Sequence, residues 1–475
     1  MKKNYSFLGL LVFIIGSALA ISSCGGGGDE PGPNPPGPNP NPDPIEYKDN
    51  TWIYQTMKQE YYWEDEIPAE SRLDFSLDPV DFFYSLLSRK DGKHTQDYSY
   101  YYSEMDDLTG TKAVGGISTS YGYVPIYYFM GRNTVYARLL YIMPNSPASE
   151  AGLKRGDVIY KYNGAALTEN NFMDLEDNTS TVTLSLGKYE EGRLTHVRDV
   201  NVSAARLVED NPFYKESIIE DNGKKIAYLM YNHFSSGPSE SLTDDAYNIQ
   251  MREIFGRFKA ANPDEFILDL RNNQGGLISC ARVMLSLLAP QSALGNTLGY
   301  LEYNKNKEEE RLIFDNRVTG GNNLNLSKLY IITDNATASS SELIINALRP
   351  YMGAGNVILV GEVTEGKNVG SYSYTNEDGT YTIHPIACKV YNKDRWSGYE
   401  NGFDPDFQIS EHDDMHDGTF VEWADYGDKE EIVLKNVLSI IKTGAMIPGT
   451  RTTSGSSTKK VVSPRKSTMI IDKIN

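Results

Sequence analysis

Three short apolar runs, each followed at once by small and polar residues, constrain most strongly how this 475-residue chain can fold. They lie at residues 265–276, 330–342 and 357–367. Short runs without polar alternation are typical of strands buried on both faces, and helical patterns separate them along the chain. The alternation predicts an α/β core in which reactive side chains stand at the carboxyl-terminal edge of the strands.

A serine and a lysine in two of these turns form a candidate catalytic pair. Ser339 follows the second run, and Lys367 follows the third. A serine hydroxyl becomes a nucleophile when a base removes its proton, and a lysine can be that base if burial lowers its pKa toward neutrality. The structural alternatives are that Ser339 and Glu342 form a helix-capping box, and that Lys367 is an ordinary solvated lysine.

The first run enters a turn that ends in Gly275 and Gly276. Paired glycines allow unusual backbone angles and a close approach to a ligand, so backbone N–H groups there could stabilise an oxyanion. The alternative is a simple connection from a strand to a helix.

Taken together, the three turns resemble the motifs of the C-terminal processing peptidases, also called tail-specific proteases. The family's Ser/Thr-Ala-Ser-x-Ser-Glu segment is matched by residues 337–342, and its Gly-Glu-x-Thr-x-Gly-Lys segment by residues 361–367. Its Asp-Leu-Arg-x-Asn-x-Gly-Gly loop is matched by residues 269–276. The resemblance covers roughly residues 47–445.

The resemblance implies that Ser339 is the nucleophile and Lys367 the general base. It implies oxyanion-binding N–H groups at Gly275, Gly276 and Ser340. One position departs from the pattern, because the family commonly has a glutamine four residues after the lysine and this chain has Ser371. Ser371 can also hydrogen-bond Lys367, with a shorter reach.

Residues 106–205 look like a PDZ domain. A Ser-Pro-Ala stretch predicts a short helix that ends at Gly152, and Asn163-Gly164 predicts a hairpin turn. PDZ domains add an extended peptide to a sheet edge and capture its terminal carboxylate with backbone N–H groups. The resemblance implies a peptide-binding loop at Val114, Gly115, Gly116 and Ile117, for which the alternative is an ordinary turn.

The amino terminus has the pattern of a bacterial lipoprotein signal. Lys2 and Lys3 precede an apolar run, and the following Ile-Ser-Ser-Cys resembles a lipobox, so residues 1–23 are expected to be removed and Cys24 to carry the lipid. The alternative, a membrane anchor, needs a longer apolar run. Residues 24–45 are a Gly/Pro/Asn-rich tether, in which the stretch from Gly25 to Pro44 has no apolar residue.

The remaining sequence completes a multidomain α/β fold with β-rich parts. Residues 46–105 predict a helical cap, in which Asp78-Pro79 begins a helix, and residues 106–205 the PDZ-like β-sandwich or barrel module. Residues 209–445 predict the α/β serine peptidase core, and residues 446–475 a basic tail.

Composition excludes several other classes of protein. A net charge of −19 argues against a nucleic-acid partner. Walker and His-Glu-x-x-His motifs are absent, so neither a cofactor nor a metal is expected, and residues 412–417, though rich in His and Asp, are interpreted as a charged loop rather than a metal site. Cys280 and Cys388 are expected to be buried free thiols.

Two functions follow from the sequence. The first is a lipid-anchored serine endopeptidase of the bacterial cell envelope, placed at the outer membrane, that cleaves protein or peptide substrates recognised by their free C-termini. The second is a catalytically weak peptide-binding lipoprotein in which the PDZ module binds and the hydrolase core is a scaffold.

Overall fold

The structure is a computed structural model that describes residues 47–95, 99–107, 116–131, 133–239, 243–411, 415–416, 419–450 and 459–462. The predicted signal segment, the lipid site Cys24 and the tether lie outside these residues. Two members of the predicted peptide-binding loop, Val114 and Gly115, also lie outside them, as does most of the His/Asp-rich segment 412–417.

The helices range from one turn to more than four turns. They are α1 (Lys48–Glu60), α2 (Pro79–Ser85), α3 (Pro147–Glu150), α4 (Asp174–Asp177), α5 (Ala246–Ala261), α6 (Ile278–Leu288), α7 (Ser340–Met352) and α8 (Ile432–Thr443). Short 3₁₀ turns lie at Glu70–Arg72, Gln291–Ala293, Asn316–Thr319 and Ala354–Asn356.

The strands fall into groups that follow one another along the chain. The first group is β1 (Lys93–His94), β2 (Ser99–Tyr100) and β3 (Glu104–Asp107). The second is β4 (Ile117–Ser120), β5 (Tyr123–Phe129), β6 (Val135–Ile142), β7 (Val158–Tyr162), β8 (Ala165–Ala166), β9 (Val182–Glu190), β10 (Arg193–Val202) and β11 (Arg206–Glu209). The third is β12 (Phe213–Asp221), β13 (Lys224–Tyr231), β14 (Glu265–Asp269), β15 (Thr297–Tyr303), β16 (Glu310–Ile313), β17 (Leu329–Thr333), β18 (Val357–Gly361), β19 (Val369–Ser371), β20 (Tyr374–Thr375), β21 (Tyr381–His384), β22 (Ile386–Asn392), β23 (Phe407–Gln408), β24 (Met415–His416) and β25 (Thr419–Phe420), and the last is β26 (Lys459–Val462).

The chain divides into two compact units, of which the smaller comprises Met1–Thr109 and Ser373–Ile386. In its described part, α1 packs on α2 through buried side chains that include Ile53, Met57 and Phe82. Asp78 caps α2 by accepting a hydrogen bond from the N–H of Val80 at 3.0 Å, which confirms the predicted helix start. The hairpin β20–β21 also belongs to this unit because β21 pairs antiparallel with β3, a long-range pairing that the sequence pattern does not reveal.

The larger unit contains the PDZ-like module and the α/β core. The module's sheet has the order β10-β9-β7-β6-β5-β26, with β8 beside β7, and β4 pairs separately with β11. As predicted, a short helix, α3, follows Ser146, and a left-handed turn at Asn163 and Gly164 joins β7 to β8.

The core is a six-stranded sheet of order β12-β13-β14-β17-β18-β23, parallel from β13 onward. Its central strands are buried on both faces, since Leu329 and Ile331 of β17 pack among α5, α6 and α7, and Tyr330 and Ile332 pack on the opposite side with α8. This burial explains the uninterrupted apolar runs. The predicted multidomain α/β fold with β-rich parts is confirmed.

A buried arginine lies directly after β14. Arg271 donates to both oxygens of Asp269, with Nη2 to Oδ2 at 2.6 Å, and to Glu411 at 2.8 Å and Glu431 at 3.0 Å. The guanidinium is almost completely shielded from solvent, so these three carboxylates balance its charge. The turn that follows β14 and ends in Gly275 and Gly276, here called the glycine turn, is therefore linked at its beginning to the distant residues Glu411 and Glu431.

A second arginine, from the PDZ-like module, joins the same cluster. Arg155 donates to Glu411 Oε2 at 2.8 Å and lies 3.7 Å from the centre of the Tyr426 ring, and Tyr426 donates in turn to Glu411 Oε1 at 3.1 Å. Glu411 thus bridges an arginine of the module and Arg271 of the core.

We expect Glu411→Ala to lower the free energy of unfolding by about 3–5 kcal/mol, because it leaves two buried guanidinium groups without one of their carboxylates. Glu216→Ala is the matched control, since it removes an exposed partner of Arg257 and should cost under about 1 kcal/mol. Chemical denaturation monitored by fluorescence and circular dichroism measures both. Equal losses in the two variants would show that the cluster contributes no more than a surface ion pair.

Candidate active site

Ser339 stands at the turn between β17 and α7. It is the N-cap residue of α7, and its backbone has φ 62° and ψ −114°, a conformation that non-glycine residues rarely adopt. The side chain is completely buried, and its Oγ has no hydrogen-bond partner among the described residues. The Ser339 N–H donates to Glu342 as in the predicted capping box, so the cap and a functional role are compatible. The positive φ and the unpaired buried hydroxyl are features that favour a functional site.

Lys367 lies in the neighbouring turn, between β18 and β19. Its side chain is completely buried, so it is not the solvated lysine of the structural alternative. Ser371, the residue in the position of the family's glutamine, ends β19 and is also buried. The parallel pairing of β17 with β18 places the serine turn and the lysine turn at the same edge of the sheet.

The carboxylate of Glu342 joins these two turns. Its Oε2 accepts hydrogen bonds from the backbone N–H groups of Ser339 and Lys367, both at 2.8 Å. Its Oε1 accepts from the Thr364 hydroxyl at 2.6 Å and from the N–H of Gly366 at 2.7 Å. One oxygen therefore brings the backbones of the two candidate catalytic residues together.

The environment of Glu342 has two opposing effects on its charge. Burial raises the pKa of Glu342 to about 7, and the hydrogen bonds from Thr364, Ser339, Gly366 and Lys367 act in the opposite direction. All four contacts are donors in this arrangement, which favours the ionised carboxylate.

The glycine turn lies against the serine. A Cβ added to Gly275 would lie 2.8 Å from Cβ of Ser339, so only glycine allows this approach. The Asn273 carbonyl accepts from the N–H of Ala338 at 3.0 Å, and the Gly276 carbonyl accepts from the Ser340 hydroxyl at 2.8 Å. The structure therefore brings Gly275, Gly276 and Ser340 together around Ser339.

The predicted oxyanion donors differ in their hydrogen bonding. The N–H of Gly275 donates to Oδ1 of Asn273 at 2.9 Å and so supports the turn itself. Within the described chain, the N–H groups of Gly276 and Ser340 have no hydrogen-bond acceptor. These two are the donors that a developing oxyanion could use.

The predicted peptide-binding loop is described only at Gly116 and Ile117. The carbonyl of Gly116 accepts from the N–H of Asp210 at 2.5 Å, and a Cβ added to Gly116 would lie 2.5 Å from the Tyr247 hydroxyl oxygen of α5. Ile117 begins β4 and pairs with Glu209 of β11. This end of the module thus packs on α5 of the core.

Three further features of the described residues concern the cysteines, metal binding and membrane-spanning helices. Cys280 and Cys388 are buried and unpaired with each other, as predicted. Across the described ranges, no group of three His, Cys, Asp or Glu side chains is arranged to hold a metal ion. No helix within those ranges is both long and apolar enough to cross a membrane.

Sequence reasoning missed two parts of the site. The sequence pattern predicts Glu342 only as the last member of a capping box, whereas its side chain also reaches the N–H of Lys367, 25 residues further along the chain. Glu411 and Arg155 carry no recognisable signal, because the contacts of Glu411 with Arg155 and with Arg271 each span more than a hundred residues. The Ser-x-x-Glu spacing was the one available sign of the Glu342 contact.

The structure thus defines a class of protein: an α/β core with a buried serine at a strand-to-helix turn, beside a PDZ-like module. Sequence comparison gives the same result. The profile of peptidase family S41 matches residues 225–409, the peptidase S41 N-terminal domain matches residues 48–100, and a PDZ domain matches residues 139–177.

Individual relatives agree with these matches. A crystal structure from Bacteroides fragilis that is named as an S41 protease is 31% identical, with a TM-score of 0.71 over 82% of this chain and 97% of that one. A carboxyl-terminal-processing protease from Picosynechococcus is 28% identical over 52% of this chain and 54% of its own length. The processing protease CtpA of Bacillus subtilis is 27% identical over 55% of this chain and 50% of its own.

The chain belongs to peptidase family S41, and with it to the serine peptidases. It spans about half the length of the curated relatives that it matches.

We expect Glu342→Gln to lower kcat/KM at least tenfold and the free energy of unfolding by about 1–3 kcal/mol. The amide NH₂ would face N–H donors in a buried site and leave one of them unsatisfied. Glu308→Gln, the same change at an exposed position, is the control. Peptide hydrolysis and thermal unfolding measure the two effects, and a Glu342→Gln variant as active as Glu308→Gln would contradict the role of the carboxylate.

Proposed function

We propose that this chain is a serine endopeptidase that uses Ser339 as nucleophile and Lys367 as general base. The observation that carries the proposal is the shared contact of both residues with one oxygen of Glu342, at a site where both side chains are buried. Such a site favours the peptidase over the binding-only alternative, because a scaffold has no need for a buried and unpaired serine hydroxyl.

In the acylation step, the neutral amine of Lys367 takes the proton of Ser339 Oγ, and Oγ attacks the carbonyl carbon of the scissile peptide bond. The carbonyl oxygen becomes an oxyanion, which the N–H groups of Gly276 and Ser340 stabilise. The ammonium of Lys367 then returns the proton to the leaving amine, and an ester between Ser339 and the substrate remains.

In the deacylation step, a water molecule gives its proton to Lys367 and attacks the ester. The same two N–H groups stabilise the second oxyanion, and the proton returns to Ser339 as the carboxylate product leaves. Ser371, four residues beyond Lys367, is proposed to orient the amine through its hydroxyl in the place of the family's glutamine.

The PDZ-like module is proposed to select substrates by their C-termini. An extended peptide would add to a sheet edge of the module, and the loop at residues 114–117 would bind the terminal carboxylate. Unfolded chains with a free apolar C-terminus are therefore the proposed substrates.

Lipid attachment at Cys24 and a place in the bacterial cell envelope, at the outer membrane, remain part of the proposal. Their support is the sequence pattern of Lys2, Lys3, the apolar run and Ile-Ser-Ser-Cys. Fractionation of cells that express the chain with and without Cys24→Ser tests them, and equal recovery of both in the membrane fraction would contradict the anchor.

Ser339→Ala and Lys367→Met are each expected to lower kcat by about a thousandfold or more, because the nucleophile and its base act as a unit. Ser327→Ala and Lys328→Met make the same chemical changes at exposed neighbouring positions and should keep full activity. Hydrolysis of an unfolded protein, with circular dichroism as a check of folding, measures all four. Full activity of Lys367→Met would exclude the proposed base.

The pH dependence of hydrolysis by the unaltered chain provides a second measurement. Activity should rise as pH increases through about 7, since Lys367 must be neutral and Glu342, with its pKa of about 7, ionises in this range. The contribution of Glu342 to the free energy of unfolding changes with pH in the opposite direction. The pKa of Glu342 in the folded chain, about 7, lies above the ordinary value of about 4.3. The stabilising contribution of the protonated group is therefore fully present below about pH 4.3 and is lost as pH rises through about 7. A rate that falls between pH 6 and 8 would contradict this assignment.

One peptide with three different ends tests C-terminal recognition. A free apolar C-terminus should give the highest kcat/KM, and amidation should lower it about ten- to a hundredfold, because a charge-assisted contact worth about 1.5–3 kcal/mol is lost. An Asp at the end should also lower kcat/KM, because the proposed substrates end in an apolar residue. Equal values for all three ends would place recognition elsewhere on the chain.

A further inference from the structure

The C-terminal strand β26 occupies the outer edge of the PDZ-like sheet. It pairs antiparallel with β5 in a register that runs from Lys459 opposite Phe129 to Val462 opposite Ile126. The other edge of β5 is taken by β6, so β26 fills the hydrogen-bonding edge that the module would otherwise expose. Addition of a strand at an edge is the way in which PDZ domains bind peptides.

The surroundings of β5 match those of a peptide groove. The short helix α4 lies beside the strand, since the hydroxyl of Tyr123 donates to the Leu175 carbonyl at 2.5 Å and the hydroxyl of Tyr127 donates to Glu176. β26 therefore pairs with the strand that α4 flanks.

The direction of β26 is that of a ligand whose C-terminus approaches the binding loop. Residue numbers in the tail increase as those in β5 decrease, so the chain runs toward Gly116 and Ile117. Ile126 is nine positions from Ile117, and residues 463–475 follow Val462. At about 3.3 Å per residue, this remaining length is sufficient to reach the loop in an extended conformation.

Charge also favours this pairing. Residues 451–475 contain six Lys or Arg and one Asp, in a chain whose net charge is −19. The helix α4 carries three carboxylates, Asp174, Glu176 and Asp177, within four residues. A basic tail is therefore attracted to the side of the module on which β26 lies.

We propose that residues 451–475 are an internal ligand of the PDZ-like module, which occupies the β5 edge and which a substrate must displace before it binds there. Because the tail is covalently linked, its local concentration is high even if its intrinsic affinity is weak. The regulatory part of this inference rests on the proposed peptidase function, whereas the binding part does not.

Binding is tested without catalysis. A chain that ends at Thr450 and carries Ser339→Ala is titrated against a fluorescent synthetic peptide of residues 451–475, with anisotropy as the readout. Saturable binding is expected. A peptide with Lys460→Pro and Val461→Pro loses the N–H groups of the strand and should bind at least tenfold more weakly, whereas Gly455→Pro and Ser456→Pro, outside β26, should change little.

Two results would overturn the proposal: absence of binding, and binding that is equal for the two proline peptides, since the second indicates only charge attraction. These outcomes do not depend on whether Ser339 is a nucleophile, so the failure of the proposed function is distinguishable from the failure of this inference.

Kinetics test the regulatory part. The active chain that ends at Thr450 should have a KM at least threefold lower than the full chain for an unfolded substrate with a free C-terminus, and an unchanged kcat. The tail peptide added in trans should raise that KM again. A short chromogenic peptide that cannot reach the module should be cleaved equally by both chains, and a KM unaffected by truncation for the long substrate would overturn regulation by the tail.

Discussion

The carboxylate of Glu342 is the interaction on which the site depends. Parallel strands place the serine turn and the lysine turn at one sheet edge, but pairing of β17 with β18 does not determine the conformation of either turn. Glu342 does so, because it accepts from the backbone of Ser339 and Lys367 with one oxygen and from Thr364 and Gly366 with the other. A carboxylate with four donors specifies geometry that apolar packing cannot, since its hydrogen bonds are directional.

The glycine turn depends on a second buried charge. Arg271 pairs with Asp269, Glu411 and Glu431, and Glu411 also binds Arg155 of the PDZ-like module. A buried ion cluster of this kind is weak evidence for net stability, because desolvation offsets much of the attraction. Its consequence here is that it fixes the position of the glycine turn relative to the PDZ-like module, because Glu411 accepts hydrogen bonds from Arg271 of the turn and from Arg155 of the module.

The sequence predicted the parts of this molecule whose signals are local. Apolar runs in the sequence predict the strands that contain Ile331 and Leu359, and the small and polar residues after each run predict the serine and lysine turns. Contacts between distant segments left no comparable signal: the β21–β3 pairing, the Glu411 bridge and the tail strand on β5 each join residues far apart in the chain. The backbone of Ser339 was also unpredictable, because a positive φ at serine arises from the contacts around the turn and not from the residue type.

The conformation of Ser339 has a cost that its neighbours must offset. A buried hydroxyl without a partner costs about 1–3 kcal/mol, and a sparsely populated backbone conformation adds a cost of similar order. The flanking residues make the compensating bonds: Ala338 and Ser341 donate to the carbonyl of Asn273, and Ser340 donates to that of Gly276. These contacts connect the serine turn to the glycine turn. The same hydrogen bonds that offset the cost of the Ser339 conformation therefore also position the unpaired N–H groups of Gly276 and Ser340. The unusual backbone of Ser339 and the two unpaired N–H groups are therefore parts of one structural feature, because the bonds of Ala338, Ser340 and Ser341 hold the serine turn against the glycine turn.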